Sequence, residues 1–129
     1  PLPLRDSAEK AARCALAMLD SIPLVNERLQ HIVSLPIYAG IGVHYGPVVA
    51  GNLGSDDHLS YSITGDTVNT AKRIESLAPS GQNSVLISDA ACSQLHSCAV
   101  RTPLTPILVK GKEKAVSLYR LSSLGGASR

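Results

Sequence analysis

Aromatic side chains are scarce: the 129 residues include four tyrosines, no phenylalanine and no tryptophan. A core must therefore be built from Leu, Ile, Val and Ala. The same scarcity counts against an α+β RNA-binding module, which stacks bases on sheet aromatics. Cysteine is sparse too. Cys14, Cys92 and Cys98 are odd in number, and none has a partner at the close spacing of zinc ligands. Cys14 lies in an apolar helical run and reads as a small core residue. All three are expected to be reduced, as in a cytosolic domain; a Cys92–Cys98 disulfide is the alternative. No stretch approaches the ~20 apolar residues of a membrane helix, and no signal-peptide pattern opens the chain. The net charge of +2 is too small to argue for nucleic acid by bulk electrostatics. These absences point to a cytoplasmic domain with no nucleic-acid partner and no direct membrane contact. They leave open a larger or membrane-anchored parent.

What is present suits an ordinary folded chain: 44% apolar and 17% charged residues. The length fits one domain that buries roughly two-thirds of its unfolded surface. Only 122–129, rich in Ser and Gly, reads as a flexible tail, which leaves 1–121 as the folded part.

Residues 6–21 carry a helical pattern, with Ala8, Ala12, Ala15, Leu16 and Leu19 at helical spacing and Asp6 or Ser7 available as a cap. Pro23 is expected to break or kink it, with 24–35 as a second helical piece. Strands are expected at 37–44 and 48–53, joined as a hairpin by Tyr45-Gly46-Pro47. A polar loop with Asp56 and Asp57 leads to a third strand at 59–64. Asp66 is placed to cap a helix over 67–78, which Pro79-Ser80-Gly81 ends. A strand at 85–88, a short helix from Asp89 to about 95, and strands at 99–101, 107–109 and 115–121 complete the reading. The mixture suggests an α+β layer, with helices on one face of a mainly antiparallel sheet.

The informative stretch is 41–77. At about 100° per residue, Ala71, Ile74 and Ala78 cluster on one side of its helix, and Asn69, Arg73 and Ser76 fall nearly opposite. Asn69 and Arg73 are one turn apart, so their side chains reach the same patch. Such a pair can hold a sugar and a phosphate, because the guanidinium fork matches phosphoryl oxygens. It can equally be a solvated polar face. Asp56 and Asp57, beside His58, read as a polar hairpin tip before they read as metal ligands. His44 sits in a strand pattern and reads as structural. Gly42, Gly46, Gly51 and Gly54 lie in and between strands, so they suit tight turns and close backbone packing rather than a dinucleotide loop.

The run Gly42-x-His44-x-Gly46-Pro47-Val48-Val49-x-Gly51, then Gly54, then Gly65-Asp66-Thr67-Val68-Asn69-x-Ala71-x-Arg73-Ile74-Glu75 resembles the signature of class III adenylyl and guanylyl cyclases. Val109-Lys110-Gly111-Lys112 followed by Leu118-Tyr119 resembles the end of the same catalytic domain. The resemblance implies a ferredoxin-like α+β layer that here lacks its first strands, with 1–121 a partial catalytic domain. It implies a lyase of intracellular signalling that converts ATP to cyclic AMP and pyrophosphate. Two divalent ions, Mg or Mn, would be bound by aspartates expected upstream of Pro1, none of them in this chain. The site would form with a second cyclase catalytic domain, as in a homodimer. By position Asn69 matches the residue that orients the ribose, and Arg73 the one that stabilises charge at the α-phosphate. Lys110 matches the lysine that reaches the triphosphate, although with Lys112 and Lys114 it also fits a solvated basic turn. Ser62 matches the base-reading position, where many adenylyl cyclases carry Asp and guanylyl cyclases commonly carry Cys. Its hydroxyl leans toward ATP. The truncated chain alone is expected to be inactive. The alternatives are a guanylyl cyclase and a non-catalytic regulatory homologue.

Overall fold

The computed structural model describes residues 4–53, 60–109 and 114–125. Helix α1 spans Ser7–Leu29 and runs through Pro23, so the expected break is absent and 24–29 continue the same helix. The ring removes one backbone hydrogen bond, but the turns beyond it are tied down. Asn26 donates from Nδ2 to the Ile37 carbonyl at 3.0 Å and accepts the Ile37 amide on Oδ1 at 2.7 Å. Strand β1 is Gly40–Val43, β2 Val49–Leu53 and β3 Ser60–Thr64. Helix α2 is Asp66–Glu75, and bonds from Leu77 to Ile74 and from Ala78 to Glu75 carry its last turn to Ala78. Strand β4 is Ser84–Ser88, α3 Asp89–Cys92, β5 Ala99–Pro103 and β6 Leu118–Leu124.

The α+β class and the mainly antiparallel sheet expected from sequence are observed. Four strands follow the order β1-β4-β6-β5, with β1 parallel to β4 and the other neighbours antiparallel. The hairpin expected between 37–44 and 48–53 does not form. Strand β1 joins the main sheet, while β2 pairs with β3 in a separate two-stranded ribbon. Residues 44–48 form neither a turn nor a bend, and Ile41 and Val43 pack in the apolar core under α1. The ribbon has no such core: Val49, Tyr61 and Ile63 are exposed.

Strand alternation divides the sheet into two faces. Val43, Val85, Ile87 and Leu121 pack against Ala12 and Ala15 of α1. Leu86 and Leu118 point the other way, onto Ile74 of α2. The two long helices therefore lie on opposite faces, not on one as the sequence pattern suggested. Gly40 and Gly42 share the α2 side. A Cβ at Gly42 would lie 2.7 Å from the Glu75 amide nitrogen and 2.8 Å from the Ala71 carbonyl oxygen, so only glycine lets α2 approach this strand. A Cβ at Gly51 would meet nothing within 4 Å among the described residues, and packing does not explain that glycine.

Polar contacts fix α1. Asp6 holds the N-cap position in a left-handed conformation (φ 54°) without capping through its side chain. Its Oδ1 instead meets His96 Nε2 at 2.7 Å. One turn on, Glu9 accepts the Ser97 amide at 2.9 Å. Arg13 donates to Ser97 Oγ at 2.6 Å and to the Gly125 carbonyl at 2.7 Å. This anchor, with the Gly125 amide donating to Cys98 at 2.7 Å, keeps β6 ordered through Leu124, past the boundary drawn at 121; 126–129 lie outside the described residues. Among the described residues no helix is long and apolar enough to cross a membrane.

Two cap assignments shift by one residue. Ser88, not Asp89, caps α3 by accepting the Ala91 amide at 3.2 Å, and Gly65 (φ 130°) takes the N-cap position of α2. Asp66 then lies in the first turn, where its charge favours the helix dipole. Cys14 is exposed, contrary to the core reading, because the apolar run around it is wider than the stripe α1 buries. The cysteines are free, so the Cys92–Cys98 alternative is not realised.

Two outcomes follow from this packing. Gly42→Ala should destabilise the fold by about 1–3 kcal/mol through overpacking, read as a lower urea midpoint at unchanged slope. Gly51→Ala should be neutral or stabilise by up to about 1 kcal/mol. The thiols give the second outcome. Iodoacetamide should label Cys14 and Cys98 in the native protein and Cys92 only on unfolding. Burial pushes the Cys92 thiol above its ordinary value of 9.0, against the lowering effect of Arg101. The folded state thus holds this proton more tightly than the unfolded chain. Stability should fall as pH rises past that ordinary value, and Cys92→Ala should remove this part of the decline.

Candidate active site

Helix α2 is set by its two ends and by its buried side. Gly65, at a φ of 130° that side chains rarely adopt, lets β3 turn directly into the helix, and the Asn69 amide makes an early helical bond to the Gly65 carbonyl at 3.2 Å. Thr67 donates from Oγ1 to the Pro47 carbonyl at 2.6 Å, which pins the loop after β1 to the first turn. A Cβ at Gly46 would lie 2.6 Å from that same oxygen, so this glycine keeps the loop close. Thr70 and Ile74 are fully buried against the sheet. Asn69 and Arg73 are exposed on the outer side, as the helical spacing predicted. Ser76, read onto that side too, is also exposed, and its hydroxyl donates to the Arg73 carbonyl at 2.6 Å.

Asn69 and Arg73 line one cleft of about 520 Å³ together with Asp66, Leu108 and Val109. This size falls in the range of small-molecule sites. Among the described residues Arg73 has no carboxylate partner, so its donors are available to a ligand. The wall formed by Leu108 and Val109 was not singled out from sequence. Ile107, Leu108 and Val109 are all apolar, so residue type gave no signal for which of them faces the cleft.

The other candidates fall elsewhere. Ser62 is half-buried on β3, opposite Gly51 of β2, and is not among the residues lining this cleft. Lys110 lies outside the described residues, directly after Val109 of the cleft wall. Asp56, Asp57 and His58 also lie outside them. His44 follows β1 and its Nδ1 lies 2.7 Å from Ser88 Oγ, tying the strand end to the start of α3. Among the described residues no three His, Cys, Asp or Glu side chains converge, and Asp66 is the one carboxylate lining the cleft. These side chains do not fit a two-metal centre.

The arrangement matches known proteins over nearly its whole length. Residues 2–123 match the adenylate and guanylate cyclase catalytic domain. Over 115 residues the chain is 35% identical to Adenylate cyclase 1 of Rhizobium meliloti (strain 1021), covering 88% of this chain and 17% of that protein. Over 76 residues it is 41% identical to Guanylate cyclase soluble subunit beta-2 of Rattus norvegicus, covering 59% of this chain and 11% of that one. The crystal structure of the guanylyl cyclase Cya2 superposes with a TM-score of 0.84 at 27% identity, over 98% of this chain and 64% of that one. The chain thus spans a small part of the curated relatives and about two-thirds of the solved domain. With Asn69 and Arg73 projecting from the helix that carries the signature, this chain belongs to the class III adenylyl and guanylyl cyclase catalytic domain family.

Proposed function

We propose that this domain contributes half of an adenylyl cyclase site that converts ATP to cyclic AMP and pyrophosphate inside the cell. The observation that carries the reading is the pair Asn69 and Arg73, projecting from adjacent turns of α2 into one cleft. In the reaction the ribose 3′-hydroxyl attacks the α-phosphorus in line. The bond from that phosphorus to the bridging oxygen breaks and pyrophosphate leaves. Most of the catalysis lies in positioning the hydroxyl and neutralising charge at phosphorus. The Asn69 amide orients the ribose. The Arg73 fork donates to the phosphoryl oxygens as charge builds. Lys110 reaches the triphosphate. Any divalent ion, magnesium or manganese, would need carboxylates from outside the described residues. A second cyclase catalytic domain, in a homodimer, completes the site.

Ser62 supports the choice of ATP, since its hydroxyl can accept from the adenine amino group. The same hydroxyl can donate to a guanine carbonyl, and guanylyl cyclases stand among the relatives, so GTP is the second reading. A non-catalytic homologue is the weaker alternative, because it would not need to keep both Asn69 and Arg73.

In the full-length protein, Arg73→Ala should lower kcat by about 10²–10³ with a smaller change in KM. Arg73→Lys should recover only part, since an ammonium lacks the planar fork. Turnover should be faster with ATP than with GTP, and Ser62→Cys should narrow that ratio. Wild-type rates in Arg73→Ala would overturn the assignment, and a preference for GTP would overturn the substrate.

A further inference from the structure

The cleft has an apolar wall that neither the signature nor the proposed chemistry uses. The Ile107 amide donates to the Val116 carbonyl at 3.0 Å, and the Val116 amide returns a bond to Ile107 at 2.7 Å. This isolated bridge fixes Ile107 as extended backbone. In an extended chain alternate side chains point to opposite sides. Ile107 packs against the cluster of Ile74, Leu86 and Leu118, and Val109 is buried. Leu108, between them, points out and is 73% exposed. An exposed leucine alone needs no explanation. This one lines the cleft that also holds Asn69 and Arg73.

The two sides of that cleft suit different parts of one ligand. Asn69 and Arg73 offer donors, which match hydroxyl and phosphoryl oxygens. An isobutyl group against a triphosphate would strip water from charge and return no hydrogen bond. Its favourable partner is an apolar surface, and in a nucleotide that surface belongs to the purine ring and the C–H face of the ribose. We propose that Leu108 is a substrate-contacting residue that forms the apolar wall for the nucleoside half of the nucleotide. The proposal rests on the cyclase reading of the cleft and adds to it a residue outside the signature.

The test uses the full-length protein and three variants, Leu108→Ala, Leu108→Met and Arg73→Ala. Pyrophosphate, which lacks a nucleoside, serves as the comparison ligand. Leu108→Ala should raise KM for the nucleotide about tenfold. It should leave kcat nearly unchanged, since a contact made equally in ground and transition states affects KM alone. Inhibition by pyrophosphate and the thermal midpoint should not move. Leu108→Met, which keeps the apolar volume, should restore most of the affinity. An unchanged KM in Leu108→Ala would overturn the proposal, as would an equal weakening of pyrophosphate. It also fails if the loss is traced to a shifted dimer–monomer equilibrium, which would put Leu108 against a second copy instead. Arg73→Ala separates this failure from failure of the cyclase reading. If its kcat collapses while Leu108→Ala behaves as wild type, only the wall is wrong. If Arg73→Ala keeps wild-type activity, the reading of the cleft falls with it.

Discussion

The contact between Gly42 of β1 and the backbone of α2 governs what the rest of this domain can do. A side chain on that strand position would meet the Ala71 carbonyl and the Glu75 amide, neither of which can move without unwinding the helix. With hydrogen in its place, the helix lies directly on the strand, and Ile74 reaches Leu86 and Leu118 beneath it. The seating also fixes rotation about the helix axis. Once Thr70 and Ile74 point inward, Asn69 and Arg73 have nowhere to go but the outer face. Their direction is therefore decided by core packing, not by any bond of their own.

The opposite face of the sheet is held by other means. Asp6 at the N-cap, with Glu9 and Arg13 of α1, grips the segment after α3 and the end of β6. The small alanines of α1 bury little area each, so these directed contacts set where the helix sits. Arg13 illustrates the principle: its guanidinium satisfies a hydroxyl and a carbonyl at once. Strand β4, between the two faces and between two strands, is buried at every residue.

Much of this was legible in the sequence, and the misses have physical causes. The helix read over 67–78 and its polar side were legible because one periodicity, the Asp66 start signal and one proline-glycine stop agree, although the cap itself is Gly65. The α+β class followed from the order of elements. Pairing did not, because Tyr45-Gly46-Pro47 reads as a turn signal yet forms no turn, and β1 and β2 join different sheets. That depended on Ile41 and Val43 finding a core contributed by α1, a contact distant in sequence. Cys14 failed for a similar reason, since a run apolar on all sides does not say which stripe is covered. Pro23 was given too much weight, because Asn26 holds the turns that follow it by bonding Ile37, eleven residues on. Leu108 was missed because its neighbours Ile107 and Val109 are also apolar, and the outward residue cannot be picked out by type.

The β2–β3 ribbon stands apart from both cores. None of its described side chains is buried, and a two-stranded ribbon in water is only marginally stable by itself. Asn69 and Arg73, by contrast, ride on a helix locked to the main sheet. Recognition of the base, proposed for Ser62, and stabilisation of the phosphate, proposed for Arg73, are thus mounted on parts of unequal stiffness. Evolution can retouch the softer part without loosening the harder one, so a lineage of such domains can exchange one purine for another while its phosphate chemistry stays intact.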